Sequence, residues 1–403
     1  MELTRRQFFG SVSAATAAAG LRPEHLLAAA DDPLGVRRDF PVVGESTYLD
    51  SAYITPSPTQ AIEAAKEFAE LKARDPVSLG RMLEETNEVR RSFARLVGAS
   101  EAEVGVLYAT SDGENVVARA LDLGAGDNVV VDDLHYETTY LLYQHLAETR
   151  GLEVRIVPSV NGSAAPELFA QHIDDRTRLL SVAWVSHQNG YRHDLSALAE
   201  LAHAHGAYLY ADAIQGIGML DLDVRSSGID FFAAGTYKWL LGGYGVAPFY
   251  VREELLELVT PDRLGSLGIA DDLGGHRFRV YEDARKYGYA TMGFGAVFQL
   301  RSALDYLHRV GVPRIERHTV GLAHRLHDGL TRQGYEVWTP AGNQSAIVTF
   351  AHGRDVEMVR RSLQEAEVRV SFKEGGVRLR VGIALFNNTD DIDRLLELTG
   401  AWA

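Results

Sequence analysis

Tyr208-Leu-Tyr-Ala-Asp-Ala-Ile-Gln215, then Asp230-Phe-Phe-Ala-Ala-Gly-Thr-Tyr-Lys-Trp-Leu-Leu-Gly-Gly-Tyr-Gly245, decides the reading of this chain. The first run is short, apolar and ends on an acid, Asp212. The second is apolar too and ends on Lys238 ahead of a glycine-rich turn. Runs of this length bounded by turn residues read as buried strands. An acid and a lysine at neighbouring strand ends suit a cofactor that needs a partner for one cationic ring nitrogen and an amine for one imine. Pyridoxal 5'-phosphate has those two needs.

Outward from that stretch the pattern repeats. Apolar strands fit Val104–Tyr108, Asn128–Val131, Val154–Val157, Leu179–Val185, Tyr208–Ala211, Phe231–Ala234 and Val246–Val251. Helical stretches separate most of them, among them Thr138–Arg150 and Leu195–His205. Such alternation predicts an α/β fold with a mostly parallel sheet covered on both faces. Upstream, helices are expected over Thr59–Ala73 and along the apolar face of Met82, Leu83, Val89, Phe93, Leu96 and Val97, ended by Gly98. Arg263 to Gly295 is glycine-rich and reads as an irregular loop over a site or subunit interface. Helices over Ala296–Val310 and Pro313–Arg332 then lead to short strands at Glu336–Trp338, Ala346–Phe350, Val368–Phe372 and Val377–Val381, a smaller α+β unit. The expected division is a leader over 1–30, an arm over 31–55, a large cofactor-binding domain over 56–295 and a small domain over 296–403.

Composition narrows the partners. The 403 residues carry a formal net charge of −15 and no long basic run, which argues against nucleic acid. They hold no cysteine, so disulfides, thiolate metal sites and a cysteine nucleophile are excluded. Fourteen histidines show no paired ligand spacing beyond His203 and His205, which read as surface, so no metal site is expected.

The first residues read as an export signal. Arg5-Arg6 precedes Phe8-Phe9, an uncharged alanine-rich run follows from Gly10 to Leu21, and Ala28-Ala29-Ala30 supplies small residues for cleavage before Asp31. An amphipathic first helix is the plainer alternative. The run is too short and too weakly apolar for a stable membrane insertion. The expectation is a twin-arginine signal, transfer by the twin-arginine (Tat) export machinery and a periplasmic or exported mature protein beginning near Asp31.

Four features carry the chemistry. Lys238 is delivered by a Phe- and Ala-rich strand into glycines that let backbone pass close to a ligand, and burial would lower its pKa. Asp212 would hold a pyridine nitrogen protonated, though an acid there could equally cap a helix. Gln215, three residues on, could bond the cofactor's phenolic oxygen. Ala109-Thr-Ser-Asp-Gly-Glu-Asn115 follows a strand and opens a helical run from Val116 to Leu121, a place for phosphate that also occurs at ordinary helix caps.

With Asp212-Ala-Ile-Gln215, Tyr237-Lys238-Trp239 and Phe386-Asn-Asn-Thr-Asp-Asp-Ile-Asp393, the chain resembles the class V aminotransferase group of fold-type I pyridoxal-phosphate enzymes. That group includes cysteine desulfurases and isopenicillin-N-epimerase-like proteins. The resemblance runs from about Tyr48 to the C-terminus. It implies a large, mostly parallel, seven-stranded-type sheet domain with a smaller α+β domain, and a homodimer. Lys238 then looks like the Schiff-base lysine, Asp212 the pyridinium partner and Gln215 a neighbour of the phenolic oxygen. Thr110 and Ser111 match the phosphate loop, Tyr237 a phosphate contact, and Thr291 the threonine that reaches the neighbouring subunit's phosphate. Tyr136 falls where an aromatic or histidine stacks on the ring, with His135 as alternative. Arg380 matches the arginine that grips a substrate carboxylate, and Arg378 is its neighbour without that role. His187 stands where an asparagine is often found, and could modulate the ring, touch substrate or do neither.

The resemblance implies a small amino-acid-type substrate from which a Cα carbanion forms. Transaminase or epimerase-like chemistry is expected, with β C–S lysis as the alternative. Persulfide transfer is excluded by the missing cysteine. A cofactor-fold protein without catalysis is the non-enzyme alternative, against which Lys238, Asp212 and Arg380 together argue.

Overall fold

The computed structural model describes residues 32–402. The export signal expected over 1–30 lies outside the described residues. Among the described residues the first strand is the two-residue β1 (Thr47–Tyr48), followed by two helices, α1 (Thr59–Arg74) and α2 (Leu79–Val97). Ser78 caps α2 by accepting the Arg81 N–H, and Gly98 ends it at φ +70°, the conformation glycine adopts without strain.

Seven strands then form one sheet: β2 (Val104–Leu107), β3 (Asn128–Asp132), β4 (Glu153–Val157), β5 (Thr177–Ala183), β6 (Tyr208–Asp212), β7 (Phe231–Ala233) and β8 (Ala247–Val251), in the order β2-β8-β7-β6-β5-β3-β4. Only β8 runs against the rest. Each apolar run read from the sequence is one of these strands. The sheet is buried on both faces, as alternate side chains show. Val129, Val131, Tyr210, Phe231 and Ala233 point to one core, while Val130, Leu209, Ala211 and Phe232 point to the other. The first core is covered by α3 (Thr110–Ala120) and α4 (Glu137–Arg150), and α5 (Leu195–Ala204) lies on the second. At β4 the alternation breaks down. It is an edge strand with Ile156 exposed and Arg155 paired to Glu153 and Asp174.

Two stretches depart from expectation. The helix read from Val116 begins at Thr110, because Gly113 lets α3 settle on β7, where an added Cβ would meet Ala233 at 2.6 Å. The segment read as an irregular loop carries an antiparallel hairpin, β9 (Ile269–Asp272) and β10 (Phe278–Val280). Its turn, Gly274-Gly275-His276, has positive φ throughout.

Beyond it, α6 (Phe294–Val310) packs on α1 and α2, and α7 (Val312–Arg332) leads to a four-stranded antiparallel sheet. That sheet has the order β11 (Glu336–Val337), β12 (Ile347–Ala351), β15 (Arg378–Gly382), β14 (Ser371–Lys373). The separate β13 (Val368–Arg369) pairs in parallel with β1. Helices α8 (Val356–Glu365) and α9 (Thr389–Trp402) pack near the C-terminus.

The two sheets are joined through one loop, residues 186–190. Its successive carbonyls are each held by a side chain from the C-terminal part. The His187 carbonyl accepts from Arg380 at 2.7 Å, Gln188 from Thr349 at 2.8 Å, Asn189 from Thr339 at 2.6 Å, and Gly190 from Ser345 at 2.6 Å. Gly190 sits at φ +76°, and a Cβ there would meet the Ile347 carbonyl at 2.4 Å. Gly190→Ala is therefore expected to cost about 2–4 kcal/mol, combining left-handed strain with overpacking against backbone. A urea-unfolding midpoint indistinguishable from the parent's would contradict this account of the junction.

Candidate active site

Parallel strands collect their carboxyl ends, and ligands of open α/β sheets bind there. In register, Ala183 of β5, Asp212 of β6 and Ala233 of β7 lie side by side, so the loops after them open on one cavity of about 370 Å³. Thr110, Ser111, Tyr136, His187, Asp212, Gln215, Tyr237 and Lys238 line it. Residues from five separate loops that the sequence reading singled out thus converge on one wall.

Lys238 follows β7 in a turn whose tightness is visible at Leu241. That leucine donates its N–H to the Lys238 carbonyl at 2.9 Å and has φ +60°, a conformation costly for a branched side chain. Thr236 closes the same turn by donating to the Val246 carbonyl at 3.1 Å. Burial pushes the Lys238 ammonium down to about 8, against the pull of the Asp212 carboxylate, which favours the charged form. Burial pushes the Asp212 carboxyl upward, opposed by the Ile214 N–H at 3.0 Å and by Lys238.

At the opposite end, α3 starts with Thr110 and Ser111 on the cavity wall, where first-turn N–H groups have no intrahelical acceptor. Thr110 Oγ1 accepts the Gly235 N–H at 2.8 Å, which locks this helix start to the lysine loop. Tyr237 stacks on Tyr244 at 4.8 Å, with the Lys238 ammonium 5.7 Å from the Tyr237 ring. Tyr136 is 43% exposed in the cavity and meets His187 edge-on at 5.0 Å. His135, the alternative stacking residue, is fully buried away from the cavity lining, within reach of Thr139 and Ser181, and burial drives it down to about 4.

Three of the residues singled out in the sequence take further partners within this chain. Gln215 lines the cavity, yet its Nε2 donates to the Ala52 carbonyl at 2.8 Å and its Oε1 accepts from Trp239 at 2.9 Å. The amide braces the lysine turn and keeps a second N–H and a second acceptor lone pair. Arg380 is 3% exposed and does not line the cavity. It stands behind His187, donates to Ser371 Oγ at 3.1 Å and lies 4.0 Å from Asp50. Thr291 also lies outside the cavity of its own chain, its carbonyl accepting from the Tyr108 hydroxyl at 3.0 Å. Arg378 pairs with Glu374 and lies over Trp338 at 4.1 Å, away from the cavity.

His187 is buried, its Nδ1 has no partner among the described residues, and burial with Lys373, Arg380 and Lys238 nearby drives it down to about 2. The imidazole is therefore neutral at ordinary pH.

Several participants escaped the sequence reading. Glu114 looks like a cap residue in Asp-Gly-Glu-Asn, but it shares a face with Val117 and Ala118 and is buried beneath the cavity. There it accepts from Ser181 Oγ at 2.6 Å and Thr139 Oγ1 at 2.8 Å, and burial raises it to about 7. Its helical spacing to Val117 and Ala118 was the available signal. Asp50 and Lys373 had none, since short strands far apart in sequence bring them together.

The family model described as Aminotransferase class-V matches residues 47–395. A probable cysteine desulfurase of Methanothermobacter thermautotrophicus is 29% identical over 385 residues, covering 90% of this chain and 96% of that protein. An uncharacterized aminotransferase, YcbU, of Bacillus subtilis is 30% identical over 286 residues, covering 71% and 76%. Among solved structures, a cysteine desulfurase of Thermococcus onnurineus superposes with a TM-score of 0.82 at 24% identity, covering 92% of this chain and 98% of that one. The cystine C–S lyase C-DES superposes with a TM-score of 0.83 at 20% identity, covering 90% and 99%. At those identities the two structures speak for the fold alone.

In protein freed of small molecules, Lys238 should titrate near 8, leaving about a tenth of it neutral at pH 7. Asp212→Asn removes the charge that favours the ammonium, so the titration should move lower. Carbon NMR of labelled lysines across pH reads both. A Lys238 resonance titrating with the surface lysines, or moving upward in the variant, would contradict this electrostatic picture.

Proposed function

The chain belongs to the class V aminotransferase family, and from that premise we propose that it is a pyridoxal-phosphate enzyme acting at Cα of a small amino acid. The observation that carries the reading is the approach of Lys238 and Asp212 across one cavity at the sheet's carboxyl ends. The donor set suits the cofactor. Thr110, Ser111 and the start of α3 would take the phosphate, Asp212 the ring nitrogen, Tyr136 a ring face, and Lys238 the aldehyde carbon. His187 Nδ1, buried without a partner, offers one more polar contact at the cavity wall. When bound, the cofactor supplies a sink for electrons released at Cα.

The chain's own groups do the rest. Lys238, with its depressed pKa, takes and returns protons near neutral pH. Arg380 stands behind His187 with its buried Nε unpaired among the described residues, and would hold the substrate carboxylate. His187 stays neutral and so orients by hydrogen bonds rather than by charge. Among the described residues Lys238 is the single amine on the lining. The tyrosines beside it, Tyr108 and Tyr237, are driven upward by burial, which makes them poor bases. One proton carrier on one side of the substrate fits transfer between Cα and the cofactor, as in transamination, better than inversion by two bases. The C–S lyase reading has its own support in the desulfurase-named relatives, restricted here to lysis without an enzyme persulfide because no cysteine is present.

Proton NMR in D₂O with pooled amino acids, with and without a 2-oxo acid, separates these outcomes. Turnover only with the acceptor is expected. Keto acid and ammonia without it would favour the lyase, and Cα exchange with inversion would favour an epimerase. Lys238→Ala should lower turnover by about a thousandfold or more. Borohydride should fix the cofactor to Lys238, and label recovered on another lysine would overturn the assignment.

Two further parts of the proposal rest on separate residues. A homodimer is supported by exposed apolar side chains on and near the β9–β10 hairpin, notably Leu264, Leu273 and Phe278. Export is supported by Arg5-Arg6 and Ala28-Ala29-Ala30. A mature N-terminus near Asp31 in the mass spectrum would agree, and an intact Met1 on the active protein would sink it.

A further inference from the structure

A second cation stands beside Arg380 that the mechanism does not use. Lys373 ends β14, two residues from Ser371 and so on the same face, and Ser371 is registered opposite Arg380 on β15. The Ser371 hydroxyl lies between Arg380 and Asp50, accepting from the first and donating to the second. The Lys373 side chain is half-buried and, among the described residues, makes no hydrogen bond and no ion pair. Its charge acts on Arg380, and on His187 and Lys238, which both line the cavity.

Two acids face it. Asp50 is already engaged by Ser371 and Arg380. Glu137 is 74% exposed, so water screens it, and its oxygen lies 3.6 Å from His187 Nε2. Lys373, half-buried beside an arginine with neither acid in contact, adds a second uncompensated positive charge at the same place, which favours an anion there. A substrate carboxylate at Arg380 would offset one cation and leave the other.

We propose that Lys373 receives a second anionic group of the substrate, so that the enzyme's substrates are amino acids with an acidic side chain. This deepens the function proposed above and rests on Arg380 taking the α-carboxylate. Lys373 is then a specificity residue rather than a catalytic one. The shared chemistry is a carboxylate-like anion, with carboxylate and sulfinate side chains as its two sources.

The test uses holoenzyme and two measurements. In the first, kcat/KM is compared for matched pairs, aspartate with asparagine and glutamate with glutamine, with cysteine sulfinate as the second anion source. The parent should favour the acidic member, and Lys373→Gln should reduce that preference about tenfold through KM, while Lys373→Arg restores most of it. In the second, calorimetry follows glutarate and butyrate, which have no amine to react. Glutarate should bind more tightly to the parent, and the difference should vanish in Lys373→Gln. Thermal melts of both variants report whether the strand is intact, and the Arg variant keeps the comparison valid if the Gln variant melts early. Equal preference within each pair, or glutarate and butyrate binding alike in the parent, would overturn the inference even if amino acids turn over. Glutarate binding lost with Lys373, without turnover of any amino acid, would sustain it and sink the proposed reaction instead.

Discussion

Everything at this site depends on keeping one amine out of water. Lys238 is held at the end of β7 by a turn that bends through a left-handed leucine, and the cavity strips enough solvent to bring its ammonium to about 8. The same burial would make a lone carboxylate costly, and Asp212 remains because the Ile214 N–H and Lys238 both favour its charged form. Neither group would have these properties on a surface. The pairing of β6 with β7 supplies the geometry, since the register that sets Asp212 opposite Ala233 also sets how far the chain must run to return Lys238. A one-residue slip would turn Asp212 into the sheet's other face and dissolve the pair.

The second constraint is the clasp on residues 186–190. Four successive carbonyls leave no room for an alternative loop path, because each buried acceptor would lose its donor. Arg380 serves this clasp with one nitrogen and Ser371 with another, which explains how a guanidinium can be 3% exposed and still ordered. A carboxylate arriving there would meet a cation already oriented, with little side-chain entropy left to lose. Under the proposed function the small sheet would set the substrate end of the site, and the large sheet the cofactor end.

That division also explains what the sequence made legible. Most of the seven strands are readable because strands buried on both faces are apolar throughout, and Lys238 and Asp212 stand out as charges ending such runs. The start of α3 was misread by six residues because Thr110-Ser-Asp-Gly looks like a turn until Gly113 is seen packed on Ala233. Gln215 was recognisable as polar and near the site, but its two bonds, to Ala52 and Trp239, depend on contacts more than 20 residues away in one direction and over 160 in the other. The junction of Asp50, Ser371, Lys373 and Arg380 is less legible still. Its members sit on strands of a few residues or, for Asp50, at an isolated bridge, too short for periodicity to reveal a face.

The arrangement has a consequence for how chemistry varies on this scaffold. Groups that would meet the cofactor come from loops after parallel strands, fixed by the register of the large sheet and by the Thr110–Gly235 lock. Groups that would meet the substrate come from Asp50, the clasped loop and an antiparallel ladder. A change at Lys373 leaves the β6–β7 register untouched, because Lys373 sits on the other sheet. Substitution at Asp212 or Gly235 disturbs both ends, since the lysine turn hangs on them. The absence of cysteine belongs to the first kind of change. It removes one fate of sulfur at the substrate end while leaving the buried amine, and the proton chemistry it permits, as they stand.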